Sequence, residues 1–444
     1  MGTQNRSLIN FVVCLLLLAV IASAGFGCAG LRDRQRPIST PLETSEPLPP
    51  TTPTPTYPPV QPTEVPTLTV PEEYRGLYEE LDAALTHFEH NLNQEWSGQQ
   101  GQTIFATELA FANGNVGEGL LLPQILDANR ILLDRLQELG VKGVVLSIKY
   151  PLLQPDFPRS AEYLEFYKDI AAECRQRDMK ILVETGAIFS GTDYSPVKVD
   201  WSKYTTESFL NGMRDQLLLI ANEIKPDYLT LTEEPTTQEA LTGLTIAPGL
   251  WTGFVNSILD EIDPSSGIQV GAGMGSWENR AYIDDILQMP RIDYIDLHIY
   301  PLGKDGVLLD RVLDIVQDAH DVGKSVTIGE CWLYKATPEE IVSGPGIDGN
   351  VFNRDPFSFW YPLDARFFDI IINIADATNM EFVSFFWTRY LFAYVDYSAE
   401  TGSLSIAEMN RRINQAANAN VKEGILSPLG QHYQQQLSSR TTHN

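Results

Sequence analysis

The sequence predicts a (β/α)8 barrel that begins after residue 102. Three observations predict it. From residue 103 the chain alternates short β-rich runs with longer amphipathic stretches, eight times over. No GxGxxG or GxxxxGK[ST] loop follows the first run, as a doubly wound open sheet would usually show. The runs also end, one after another, on ionisable or aromatic residues. Strand–helix alternation implies parallel pairing, and eight such units fit a barrel with loop insertions.

The β-rich runs are 103–108, 144–149, 181–184, 228–232, 268–272, 294–299, 326–330 and 382–387. The helical stretches between them are 126–139, 161–177, 207–224, 250–262, 282–288, 308–322 and 366–378, and the chain after Ala407 supplies the eighth helix. Ahead of the barrel, in 72–102, Tyr74, Leu77, Tyr78, Leu81, Ala84, Leu85 and Phe88 recur at helical spacing. They predict one amphipathic helix docked on the domain, followed by a connection. The barrel domain is expected to span 103–437, with 438–444 an unstructured tail.

Residues 1–27 read as a signal peptide: Arg6, an apolar run over 11–22, then Ser23, Ala24, Gly25 and Gly27 ahead of Cys28. That arrangement resembles the lipobox of bacterial lipoproteins. The resemblance implies a lipid on Cys28; an ordinary signal peptide or an uncleaved anchor remain alternatives. Residues 28–71 read as a linker, since 37–71 hold 12 of the 28 prolines among Thr, Ser and Glu. The domain is therefore expected outside the cytoplasm, anchored to the cell surface by lipid or secreted.

A formal charge of −27 excludes nucleic acid as a natural partner and favours a neutral glycan over a polyanion. Aromatic residues make up 10%, with 7 Trp and 18 Tyr, a composition suited to stacking on flat ligands. Within the expected barrel domain only Cys174 and Cys331 occur, too few for a disulfide framework, and they are expected as free thiols. His298 is the one histidine at a strand end, and His87 and His90 have no neighbouring ligand residues in sequence. No metal or other cofactor is expected, and the chain is expected to act as a monomer.

The strand ends carry the chemistry, because a barrel of this kind gathers its active site there. They are Glu108, Lys149, Glu184, Glu233-Glu234, His298 with Tyr300, Glu330, and Trp387 with Arg389. Alternation along strands assigns faces. Ile295, Leu297 and Ile299 pack outward, which leaves Asp296, His298 and Tyr300 inside. By the same parity Lys149 points in, and Glu234 rather than Glu233 is the inward acid. In 326–330 the parity is less clean, because Thr327 would face the helices; Glu330 is placed inward since it ends the strand. Two carboxylates in one pocket can be split into a protonated and an ionised member by burial and neighbours, which is what cleavage of a glycosidic bond requires. Ion pairs of both with Lys149 and Arg389 are the alternative.

Glu-Pro after the fourth strand (Thr232-Glu233-Glu234-Pro235), His-Ile-Tyr-Pro after the sixth (His298–Pro301), Ile-Gly-Glu after the seventh (Ile328–Glu330) and Trp387 at the eighth resemble clan A glycoside hydrolases, nearest families 5 and 53. The resemblance spans about residues 103–435. It implies a retaining mechanism with Glu234 as acid/base and Glu330 as nucleophile, Tyr300 bonded to the nucleophile, His298 lining the sugar site and Trp387 stacked under the reacting sugar. The clan has Asn just before the acid/base, where this chain has Glu233. Glu233, Lys149, Glu108, Glu184, Trp332 and Arg389 are further candidates for substrate contact. Two other readings remain: a catalytically inactive barrel that binds glycan at the cell surface, and a barrel enzyme of another class.

Overall fold

The computed structural model describes residues 69–441 apart from 96–99, 193–194, 301–306, 338–339 and 341–348. The expected signal peptide, Cys28, all of the linker but its last three residues, and part of the long segment after the seventh strand lie outside the described residues. The strands are β1 Ile104–Glu108, β2 Gly143–Ser147, β3 Lys180–Glu184, β4 Tyr228–Thr230, β5 Gln269–Gly275, β6 Tyr294–Ile299, β7 Ser325–Cys331 and β8 Phe382–Phe385. They pair in parallel, each with the next, and β8 pairs with β1 to close the barrel.

Helices surround it: α1 Glu72–Glu95, α2 Ile125–Leu139, α3 Ser160–Gln176, α4 Thr206–Leu219, α5 Pro235–Thr242, α6 Pro248–Leu259, α7 Ala281–Leu287, α8 Val307–Asp321, α9 Gly349–Arg354, α10 Tyr361–Thr378, α11 Ile406–Glu423 and α12 Pro428–Thr441. The chain is thus the (β/α)8 barrel that its alternating pattern predicts. The apolar stripe of α1 buries Leu77, Leu81, Leu85, Phe88 and Leu92. Arg366 on α10 fastens that helix through Asp82 and through Glu89 at 2.7 Å. The C-terminal boundary moves outward: α12 continues to Thr441, and Arg440 bonds Asp376 at 2.8 Å where a tail was expected from 438.

Polarity rises along the inside of the barrel. One layer is apolar, built from Ala106, Val145, Leu182, Tyr228, Tyr294 and Phe382. Above it Asp296 accepts hydrogen bonds from Thr230 at 2.8 Å and Thr327 at 2.6 Å. Strand alternation then puts His298, two residues beyond Asp296, on the same inner face and one layer higher.

The irregular parity of β7 has a physical cause. The pairing of β6 with β7 shifts register between Leu297 and His298: Leu297 meets Ile328 but His298 meets Glu330. The extra residue is Gly329, so Thr327 faces inward and Glu330 does as well. Only glycine fits there, because a Cβ at 329 would run into the carboxylates of Glu184 and Asp296. Glu184 is held by His298 and Asp296 by two threonines, so neither is free to swing aside. Gly329→Ala is expected to lower stability by about 1–3 kcal/mol, as overpacking of a closed core does. A chemical denaturation curve checks this, and an unchanged midpoint would mean that the bulge tolerates a side chain.

Candidate active site

The C-terminal ends of the strands open into one cavity of about 460 Å³. Glu108, Lys149, Glu233, Glu234, His298, Tyr300, Glu330, Trp387 and Arg389 all line it. Strand β4 ends at Thr230, and the chain then turns so that Glu234 caps α5, whose first residue is Pro235. Proline suits that first position, where no helical N–H is needed.

His298 is the centre of the site. Its Nδ1 lies 2.8 Å from Glu234 Oε1 and its Nε2 lies 3.1 Å from Glu184 Oε1. A Glu330 oxygen lies 3.8 Å from Nδ1, and the Tyr300 hydroxyl donates to the same oxygen. Burial alone would strip the proton from His298, but Glu184, Glu330 and Glu234 reverse this and hold its pKa well above the ordinary histidine value. Burial pushes the carboxyl of Glu184 well up, with His298 opposing. Burial also raises Glu330, and His298 and Lys149 only partly offset it. For Glu234 burial pulls upward too, yet the His298 bond and charge prevail and hold it below the usual carboxylate range. The resting proton therefore sits on His298 and not on Glu234.

A second pair lies beside this centre. Lys149 Nζ is 2.7 Å from Glu233 Oε1, and the two side chains are only 4% and 5% exposed. Gln238 donates to the same oxygen at 3.2 Å. Burial works against the charge of Lys149, but Glu233, Glu330 and Glu184 hold its pKa above the ordinary value. Glu108 accepts from Asn113 at 2.7 Å, while burial pushes its pKa up to about 7.

Three expectations change. Glu184 is fully buried beneath His298 and does not line the cavity, so it is a partner of the imidazole instead of a substrate contact. Trp332 is 1% exposed and stacks on Tyr390 at 4.9 Å, in the packing behind the barrel, not in the cavity. Glu233 is not turned away from the site: the strand has already ended, alternation no longer applies, and both glutamates face the cavity. Nor do Glu234 and Glu330 pair with Lys149 and Arg389. Lys149 takes Glu233, and the hydrogen bonds of Arg389 run to Asn410, Asn414 and Tyr390. Of the other aromatics, Trp277 and Tyr334 line the cavity, whereas Trp251 and Trp360 are packing residues.

Sequence reading missed Glu278. Its carboxylate accepts from the Thr236 N–H and hydroxyl, both at 2.6 Å, and from the Gly275 N–H at 2.9 Å. It thereby fixes the first turn of α5, next to Glu234. Burial pushes its pKa up to about 7. It also missed Phe352, Asn113, Asn410 and Asn414, which come to the cavity from α9, from the loop after β1 and from α11.

The fold assembles two groups able to hold a metal ion, Glu184–Asp296–His298 and Glu234–His298–Glu330, each with donor atoms within 4.8 Å of one another. Linear sequence showed neither. In both, His298 is the sole nitrogen donor, and its two nitrogens are already engaged with carboxylates at hydrogen-bond distance. A metal–nitrogen bond near 2.0–2.1 Å would replace one of those bonds.

No protein-family model matches the sequence, and no curated protein matches it. Solved structures similar to it include a GH113 β-mannanase from Alicyclobacillus acidocaldarius, with 13% identity, 74% of this chain and 99% of that one covered, and a TM-score of 0.39. An endo-β-1,4-glucanase from Xanthomonas axonopodis pv. citri has 13% identity, covers 70% and 99%, and has a TM-score of 0.41. The AHE enzyme from Alicyclobacillus herbarius has 12% identity, covers 73% and 100%, and has a TM-score of 0.45. Likenesses this distant carry no argument about chemistry, so the functional reading rests on the site itself.

Proposed function

We propose that this chain is a retaining glycoside hydrolase of β-linked glycans, with Glu330 as nucleophile and Glu234 as acid/base. One observation carries the reading. An oxygen of Glu234 and an oxygen of Glu330 lie within 4.8 Å of each other in the lining of an open cavity. Direct attack by a carboxylate goes with carboxyl groups roughly 5–5.5 Å apart, while an inverting enzyme leaves room for water at roughly 6.5–9.5 Å.

The roles follow from the partners. Tyr300 donates to Glu330 and leaves its other oxygen to attack the anomeric carbon. The bond from that carbon to the leaving oxygen breaks, and the electron pair departs with the oxygen. Glu234 delivers the proton, which the imidazolium of His298 supplies across 2.8 Å. Water then attacks the anomeric carbon, Glu234 takes its proton, and the ester to Glu330 breaks. Trp387, on the cavity wall, offers the reacting sugar a ring face. Glu233, bound to Lys149, takes the place from which the resembled clan uses Asn to hold a sugar hydroxyl; its other oxygen, Oε2, has no partner among the described residues.

We also propose that residues 28–71, freed of the leader 1–27, tether the domain to a cell surface through a lipid on Cys28. No helix among the described residues is long and apolar enough to cross a membrane. Cys28→Ser should shift the full chain from the membrane fraction to the medium, and unchanged fractionation with residues 1–27 intact by mass spectrometry would oppose it.

The two glutamates should fail differently. Glu330→Ala should lose turnover on every β-glycoside, with azide giving at most an α-glycosyl azide. Glu234→Ala should retain glycosylation by aryl glycosides whose leaving group needs little protonation, and azide should speed deglycosylation and yield a β-glycosyl azide. Azide rescue of Glu233→Ala instead would move the acid/base role to Glu233, and a barrel that binds glycans without turnover would show no activity for azide to restore.

The pH–rate profile should be a bell displaced upward from the acidic range usual for a carboxylate pair. Activity needs Glu330 ionised, and burial raises its pKa, so the acid limb moves up. Activity also needs a proton on the His298–Glu234 pair, and its carboxylates hold the His298 pKa high, so the alkaline limb moves up as well. Glu184→Gln removes one of those charges and should pull the alkaline limb down; an alkaline limb that stays in place would mean that His298 does not supply the proton.

A further inference from the structure

The cavity extends beyond the reacting pair. Past Trp387 its lining continues to Arg389 and Phe392, to Leu132 on α2, and to Asn410, Asn414 and Asn418 on α11. The three asparagines are spaced four apart, so they form one polar stripe on a helix whose neighbouring positions Ile413, Ala417 and Val421 are buried. The chain reaches this side because Trp387 adopts a left-handed backbone, with φ 56° and ψ 50°, and turns β8 into the short helix Thr388–Leu391. A non-glycine residue held there costs on the order of 1–3 kcal/mol, which marks the turn as one that the fold maintains.

Arg389 lies in this extension, where no carboxylate among the described residues is hydrogen-bonded to it. Its guanidinium stands 4.4 Å from the Trp387 ring and 5.0 Å from the Tyr390 ring. It donates to Asn410 Oδ1 at 3.3 Å, Asn414 Oδ1 at 3.4 Å and the Tyr390 hydroxyl at 3.1 Å. None of these is a carboxylate, and its buried Nε has no partner among the described residues. Two acids feel its charge without bonding to it: Glu108, which burial pushes up to about 7, and Asp355, whose carboxyl burial also raises. With Nη1 on the two asparagines and Nε buried, the guanidinium has its charge and an Nη2 N–H left to offer, which the charged acceptor oxygen of a carboxylate matches. With the carbonyl oxygens of Asn410 and Asn414 turned to Arg389, what those side chains have left to offer a ligand are N–H groups. The extension thus presents donors, and its complement is a group that only accepts.

We propose that Arg389, with Asn410 and Asn414, forms a subsite for the carboxylate of a uronic-acid unit adjacent to the neutral sugar whose bond is cleaved. The subsite rests on the glycosidase reading and names the substrate class within it. It is compatible with the charge of −27, because repulsion of a distant polyanion and recognition of one carboxylate in contact act over different distances. Exposed charges beyond about 8–10 Å are screened at physiological salt, and a desolvated contact is not.

Isothermal titration of the full chain tests this. The probes are short oligosaccharides carrying one glucuronic or galacturonic acid unit, each paired with its carboxyl-reduced twin. The acidic member of at least one pair should bind about tenfold or more tightly, the scale of one charged hydrogen-bonded contact. That ratio should fall to about one in Arg389→Gln and to an intermediate value in Arg389→Lys, which keeps the charge without the fork. Equal binding of every pair by the unmodified protein, or a preference that survives Arg389→Gln, overturns the proposal. So does a parallel loss for both members of a pair, which would assign Arg389 to sugar hydroxyls. Hydrolysis is read separately: preference without hydrolysis of any glycan speaks against the glycosidase reading and leaves the subsite, while hydrolysis without preference does the reverse.

Discussion

One imidazole holds this site together. His298 bridges Glu184 and Glu234, and its charge acts on Glu330 at 3.8 Å. Three carboxylates this close would repel one another strongly enough to force protons onto some of them. A cation between them changes which group holds the proton: it rests on the imidazole, Glu234 stays ionised, and burial is left to raise Glu330. The rest of the barrel serves that bridge. The register shift at Gly329 turns Glu330 inward and clears room for Glu184. Asp296, tied down by Thr230 and Thr327, forms the floor on which Glu184 and His298 stand.

The consequence for the proposed chemistry is that the acid/base is a pair and not a single residue. A carboxylic acid that donates a proton is ordinarily kept neutral by an apolar pocket. Here Glu234 has a cationic partner and is ionised at rest, so it works as the last link of a short relay. Glu278 contributes at one remove by fixing the turn of α5 that follows Glu234. Lys149 and Glu233 neutralise each other nearby, which spares the centre a further unpaired charge in a place where one would be costly.

Much of this was legible in the sequence because strands carry a period of two. The runs that became β1 to β8 are visible as β-rich segments, and parity along 294–300 places Asp296, His298 and Tyr300 on one face. Parity stops informing where the strand stops. Strand β4 ends at Thr230, so alternation carried on to Glu233 and Glu234 separates residues that in fact share the cavity. The bulge at Gly329 shows in the sequence only as a misplaced Thr327. Glu184 ends its run as convincingly as Glu330 does, and Trp332 follows the seventh run by two residues, yet nothing local says that one lies under an imidazole and the other behind the barrel. The asparagine stripe of α11 was readable at 410, 414 and 418, but its meaning depends on Arg389, which meets it only in the closed fold.

The stereochemistry of the first turnover tests the central claim most directly. Proton NMR of a β-glycoside cleaved by the full chain, recorded before mutarotation, should show the β-anomer as the first product, and a 2-deoxy-2-fluoro glycoside with an activated leaving group should leave its sugar on the peptide containing Glu330. An α-anomer as first product, with no label on Glu330, would mean that water and not Glu330 attacks the sugar, and would contradict the account.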